Sequence, residues 1–176
     1  MILTGCIVFQ ASANNFTEYE IKAGLIYNII SFIEWPESYA SESGDSLTIG
    51  ILGENPFGEA FKQVEGKPIS GKKLFIKELK KGASDSTIFQ CQALFISASE
   101  KDNTADIFRL LSHRPVLTIS DFKGFVDQGG MISFIEQNKK IRFEINDYSA
   151  KNSGLKIPSS VKRLAVRVIG GPGNGD

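Results

Sequence analysis

The stretch 93-ALFISASEKDNTADIFRLLSHRPVLTI-119 decides the fold. Ala93 to Ile96 is a short, uniformly apolar run, the pattern of a strand buried on both faces. Ser97-Ala98-Ser99 turns the chain. A polar-to-apolar segment from about Asp102 to Ser112 then reads as a helix, with Ile107, Leu110 and Leu111 on its inner face. Pro115 opens Val116-Leu117-Thr118-Ile119, a second apolar strand. Strand, helix, strand over roughly thirty residues is a βαβ unit, which pairs its strands in parallel and lays a helix over one face of the sheet.

Working outward, Thr17 to Glu34 reads as a long helix. Ile21, Leu25, Ile29 and Ile33 recur every four residues, and Ile26, Ile30 and Phe32 widen the stripe. Thr17 is placed to cap it, Glu20 to close a capping box, and Trp35-Pro36 to end it. A helix so apolar around its circumference predicts burial against a sheet or a second subunit. Leu47–Leu52 is a strand, Phe57–Val64 a short helix, and Leu74, Ile76 and Leu79 belong to another strand. Met131–Ile135 and Lys139–Ile145 form a hairpin around Glu136-Gln137-Asn138. Asn146 caps a short helix, Tyr148–Ser153, which ends at Gly154. Pro158–Ile169 reads as a closing amphipathic helix, with Leu164 and Val168 inward and Lys162, Arg163 and Arg167 outward. The expected fold is one compact, three-layer-like α/β domain with a mixed, partly parallel sheet flanked by helices. The domain runs over 14–170, before a flexible tail at 171–176.

Composition narrows the function. The 176 residues are 41% hydrophobic and include 13 Phe, enough for a real core and too many for a disordered chain. Twenty basic and twenty acidic residues balance. No general field draws a polyanion, so nucleic acid is a poor partner. Two cysteines and one histidine make neither a disulfide scaffold nor a zinc site, and no cofactor or metal is expected. MILTGCIVFQASA, residues 1–13, carries no charge and ends in Ala11-Ser12-Ala13, the pattern cut by signal peptidase. The preferred reading is the tail of a signal peptide, hence export. Two others stand beside it: a lipobox at Leu3-Thr4-Gly5-Cys6 with Cys6 lipidated, and a slightly apolar terminus of a cytosolic protein.

No constellation for catalysis rises above its bland alternative. The glycines of Gly50-Ile51-Leu52-Gly53-Glu54-Asn55-Pro56-Phe57-Gly58 do not follow GxGxxG, and Glu54 would repel a phosphate; a tight strand-to-helix turn explains them better. His113 follows a helix, where a cation suits the dipole. Ser97, Ser99, Ser120 and Asp121 lie near strand ends, yet none sits in a nucleophile elbow. Asp121 and Asp127 flank a glycine loop, and Glu144 and Asp147 flank Asn146, without a spacing that establishes acid–base work. The basic face of the last helix, with Lys156 nearby, suits lipid headgroups or an acidic partner, but a solvated face is commoner. Cys91 is either a semi-buried small side chain or, once Cys6 has left with the leader, a thiol for an intermolecular bridge.

Several blocks in order carry a resemblance: Lys22-Ala23-Gly24-Leu25-Ile26-Tyr27-Asn28 running into Phe32-Ile33-Glu34-Trp35-Pro36, Ile51 to Gly58, Cys91 to Ser97, Pro115 to Asp121, Gly129 to Ile132, and Ile141 to Asn146. Together they resemble the YfiR-like family of bacterial periplasmic proteins, from about Lys22 to Ile169. The resemblance implies export and a compact, often dimeric α/β domain. It also implies a binding role, in which such a protein represses an inner-membrane diguanylate cyclase, or serves another membrane sensor, from the periplasmic side. An outer-membrane lipoprotein can sequester that repressor, and the output is cyclic-di-GMP and biofilm behaviour. No chemistry is asked of the repressor. The family's disulfides are not carried over, because Cys91 lacks a visible partner. On this reading Arg142 and Glu144 are the polar pair of a partner surface, with Trp35 and Phe57 as apolar contacts. The second reading is a periplasmic small-ligand-binding module that reports to a membrane sensor; an enzyme is third.

Overall fold

The computed structural model describes residues 16–37 and 44–171. The leader reading at Ala11-Ser12-Ala13, Cys6, and the tail beyond 171 lie outside the described residues.

Helix α1, Glu18–Phe32, starts on the expected capping box. The Glu20 N–H donates to Thr17 Oγ1 at 3.2 Å, and the Thr17 N–H donates to Glu20 Oε2 at 2.7 Å. Two N–H groups that no helical turn can satisfy are thereby paired. The buried stripe is Ala23, Ile26, Ile29 and Ile30, with Ile33 at the C-cap. It is rotated from the expected one, since Ile21 and Phe32 are exposed. Lys22 takes an inner place because a carboxylate across the fold awaits it.

Eight strands form one sheet: β1 (Ser46–Leu52), β2 (Pro68–Ile69), β3 (Lys72–Leu79), β4 (Ala93–Ile96), β5 (Leu117–Ser120), β6 (Ile132–Gln137), β7 (Lys140–Asn146) and β8 (Arg167–Ile169). Their order is β2-β3-β1-β4-β5-β6-β7-β8. The pairs β1–β3, β1–β4, β4–β5, β5–β6 and β7–β8 are parallel; β2–β3 and β6–β7 are antiparallel. The mixed, partly parallel α/β class is therefore as expected. Central strands β4 and β5 are buried at every position, as parallel strands covered on both faces must be. Ala93 and Phe95 join the core under α1, while Leu94 and Ile96 join the core under the helix Thr104–Leu110. Three layers result.

The chain reverses its direction of travel across the sheet at β1, with β3 on one side and β4 on the other. Two glycines make this junction possible. A Cβ on Gly50 would lie 2.8 Å from Cys91 Sγ, and one on Gly53 would lie 2.4 Å from Ser99 Oγ. Gly53 also has φ +93, a left-handed conformation that costs a side chain energy. Gly53 serves a turn, as read from the sequence; Gly50, inside β1, serves close packing.

Several local expectations are corrected. Pro158–Ile169 is not a helix: helix Ser159–Lys162 lasts one turn, and Arg167–Ile169 pairs with β7 as β8. The backbone edge of β7 and the β-branched Val166, Val168 and Ile169 outweigh the four-residue spacing of Leu164 and Val168. The helix expected over Phe57–Val64 is a 3-10 turn, Ala60–Gln63. The segment after β4 enters its helix through a 3-10 turn, Ala98–Asn103. The hairpin turn is two residues, Asn138 and Lys139, with φ 52 and 58, as a type I′ turn requires.

Candidate partner-binding surface

The end of the sheet at β7 and β8 brings exposed apolar side chains and a charged fork together. Glu144 stands in register with Arg167 and Ile145 with Val168. Arg167 acts as a fork. Its Nη1 and Nη2 donate to the two carboxylate oxygens of Asp127 at 2.8 and 3.0 Å. Its Nε and Nη2 reach Glu144 at 2.9 and 3.2 Å. The planar guanidinium matches two carboxylates at once, a geometry lysine cannot reproduce. The hydrogen bonds from Arg167 hold the Asp127 carboxyl below its usual range, and those to Asp127 and then Glu144 push the guanidinium further up. The fork ties the loop after β5 to the edge strand and lines a cleft of about 460 Å³ with Asp121, Lys123 and Phe134.

Alternation places Val166 and Val168 on the face opposite Arg167. Both are 41% exposed, and Leu164 before them is 67% exposed. No described strand lies beyond β8. A sheet edge carrying exposed apolar side chains is a template for strand addition. The alternation in Leu164-Ala165-Val166-Arg167-Val168 was the sequence signal for this strand, and the helical spacing of Leu164 and Val168 masked it.

The residues singled out in the sequence are scattered. Arg142 is exposed on β7, in register with Ile135. Glu144 pairs with Arg167 rather than with Arg142, so the inter-element ion pair exists with a different cation. Trp35 is half-buried against the core beyond α1, its Nε1 buried without an acceptor. Phe57 is not on the surface. It is 4% exposed and packs at 5.2 Å from Tyr19, 4.4 Å from Phe61 and 4.7 Å from Phe95. The turn after β1 swings it inward, held by its N–H to Asn55 Oδ1 at 2.8 Å. Cys91 is likewise fully buried, and burial pushes its thiol up to about 11. An intermolecular bridge through it would require the core to open.

Other charged groups are held in structural pairs. Lys22, 4% exposed, donates to Asp121 Oδ2 at 2.7 Å, and the Tyr19 hydroxyl donates to the same oxygen at 3.0 Å. Burial pulls the Lys22 ammonium down, but its bonds to Asp121 and Glu18 outweigh that and leave it raised. Asp147 is also buried, which favours its neutral form, yet hydrogen bonds from Lys151 and Lys162 hold it below the usual carboxylate range. The basic face expected of a last helix is therefore dispersed: Lys162 is turned to Asp147, Arg167 to the fork, and Lys156 to Glu34. The hydroxyls near strand ends are engaged too. Ser99 Oγ accepts from the Glu54 N–H at 2.9 Å, and Ser120 Oγ donates to the Ile96 carbonyl at 2.6 Å. His113 is exposed, with φ 60, beyond the end of its helix.

Comparison with known proteins completes the picture. Two solved structures share the fold at 13% identity. One is the ABC domain from Streptococcus pneumoniae in complex with L-Trp, with TM-score 0.54 over 86% of this chain. The other is a conserved domain protein from Vibrio cholerae O1 biovar El Tor, with TM-score 0.57 over 87%. This chain spans 60% of the length of each. At that identity the likeness speaks for the fold alone. The family model described as YfiR/HmsC-like matches residues 19–166, nearly the whole described domain, and the chain belongs to the YfiR/HmsC-like family.

Proposed function

We propose that this protein is a periplasmic regulator that binds a membrane sensor and represses it, the sensor being a diguanylate cyclase whose product is cyclic-di-GMP. Family membership supports the regulatory, exported role. Among the described residues no helix is long and apolar enough to cross a membrane. The observation that carries the binding surface is the edge strand β8, with no described strand beyond it, together with the exposed Val168 on it and Leu164 and Val166 leading into it. Its occupant is an extended segment of the sensor's periplasmic part, added beside β8 as a further strand. Arg142 and Arg163, both exposed, favour acidic residues flanking that segment. Glu144 acts indirectly, by holding Arg167 and so the strand. Trp35 holds the exit from α1. The mechanism is a binding equilibrium: the regulator stabilises the sensor's inactive state by as much as it binds that state better.

Crosslinking of the mature protein in its own envelope, followed by identification of what is captured, tests this reading. Capture of an inner-membrane cyclase, lost on V166K/V168K, is the expected outcome. Both side chains are 41% exposed, and an unchanged thermal unfolding curve is required of the double variant before its capture is compared. Undiminished capture by the variant would remove β8 from the interface, and capture of no membrane sensor would remove the function.

A further inference from the structure

The carboxyl ends of β1, β3 and β4 hold a second feature that the regulatory reading does not use. A cleft of about 410 Å³ opens there between the segment after β3 and the helical segment after β4. Leu52, the last residue of β1, forms its floor, and Ile88, Ile107 and Leu110 its apolar walls. Open α/β sheets bind small ligands beyond the carboxyl ends of their strands, where the strand order reverses, and β1 is where it reverses here. The volume is that of a small-molecule site.

Glu100 lines this cleft and is 4% exposed. One carboxylate oxygen accepts from Asn103 Nδ2 at 2.8 Å. No lysine or arginine among the described residues forms a salt bridge with it. That is unusual, because a buried acidic side chain ordinarily has a basic partner. The first turn of a 3-10 segment offers Glu100 partial N–H charge but no counter-cation. The chain goes to some length to keep it there: a Cβ on Gly53 would stand 2.9 Å from Glu100 Cγ, so only glycine lets this side chain tuck under β1. At the rim, Asp106 is engaged by Arg109, while Lys81 and Asp85 offset one another in charge. The floor therefore presents one carboxyl group, without a salt-bridge partner among the described residues, between apolar walls. Among the described residues no three His, Cys, Asp or Glu side chains converge as a metal site would need, which favours an organic cation.

We infer that this cleft binds a small organic ammonium with an apolar body, its charged nitrogen on Glu100 and its body against Ile88, Ile107 and Leu110. The cleft lies over β3, β1 and β4, far along the strand order from β8, so the site stands or falls independently of sensor docking.

The test titrates the full chain with phenethylamine, with 3-phenylpropionate as the anion of similar body, and with calcium ion alone, following backbone amide shifts. The expected result is phenethylamine shifts at Gly82, Ala83, Glu100 and Asn103, with affinity at least about tenfold above the carboxylate. Glu100→Gln keeps an acceptor for Asn103 and should abolish that preference. Leu110→Ala, at a half-buried wall, should weaken phenethylamine while leaving the amide spectrum otherwise native. Equal binding of cation and anion would overturn the site. So would no binding of phenethylamine, a preference that survives Glu100→Gln, or shifts reproduced by calcium alone.

Discussion

At the residue scale, small side chains at crowded positions hold the β1–β4 junction together. Gly53→Ala combines a left-handed backbone with a Cβ 2.4 Å from Ser99 Oγ. The expected loss is about 2–3 kcal/mol of stability, read from urea unfolding. Cys91 makes a second prediction. Its thiol is buried and raised from an ordinary 9.0 to about 11. The folded state therefore keeps a proton that the unfolded state releases. The stability this represents is full below pH 9 and is lost as pH rises from there to about 11, with a slope of at most about 1.4 kcal/mol per pH unit. Cys91→Ala should flatten that alkaline limb, and a thiol reagent at pH 8 should label native protein far more slowly than unfolded. Rapid labelling at Cys91 itself, located by peptide mapping, would contradict the burial. Neither residue announces its role in one dimension, because a glycine's need is set by what approaches it and a thiol's reactivity by what covers it.

At the element scale, local chemistry decides more. The α1 capping box and the Asn146 cap, whose Oδ1 accepts from the Ser149 N–H at 2.9 Å, are both read directly from residue type and spacing. Thr17→Ala should cost about 1 kcal/mol. In the β6–β7 hairpin Lys139 sits at φ 58, where glycine is at ease. Lys139→Gly should raise stability by about 0.5–1 kcal/mol, measured by thermal unfolding. The fork at β8 is the contrasting case. Arg167→Lys keeps the charge and loses the bidentate geometry. Arg167 and its partners are partly solvated, so the cost is about 1 kcal/mol, smaller at high salt. Asp127 is held below its usual range, so its share is present above pH 3.8 and is lost as pH falls below that. The helix expected at Pro158–Ile169 failed because two periodicities overlap in Val161 to Ile169. A neighbouring strand edge chose between them, and only the folded sheet supplies that edge.

Across the whole molecule, the buried Lys22–Asp121 pair fastens α1 to the carboxyl end of β5. Removing one partner alone, as in Asp121→Asn, leaves the other charge poorly compensated and should cost about 3 kcal/mol. K22M/D121L removes both charges and should recover most of that loss, as a double-mutant cycle in denaturant would show. An additive double variant would mean that the two groups do not act as a pair.

By itself the sequence determined the class of fold, because the period of apolar residues and the caps and turns between them are local properties. The βαβ unit at 93–119 and the capping box on α1 both follow from neighbours in the chain. Strand order, the turning inward of Phe57, the sealing of Cys91 and the conversion of the last segment into β8 were decided only by the tertiary structure. Each depends on surfaces contributed by residues far away in sequence. The candidate surfaces belong to that second group: Arg167 meets Asp127 and Glu144, and Glu100 meets the end of β1, only when the sheet has closed between them.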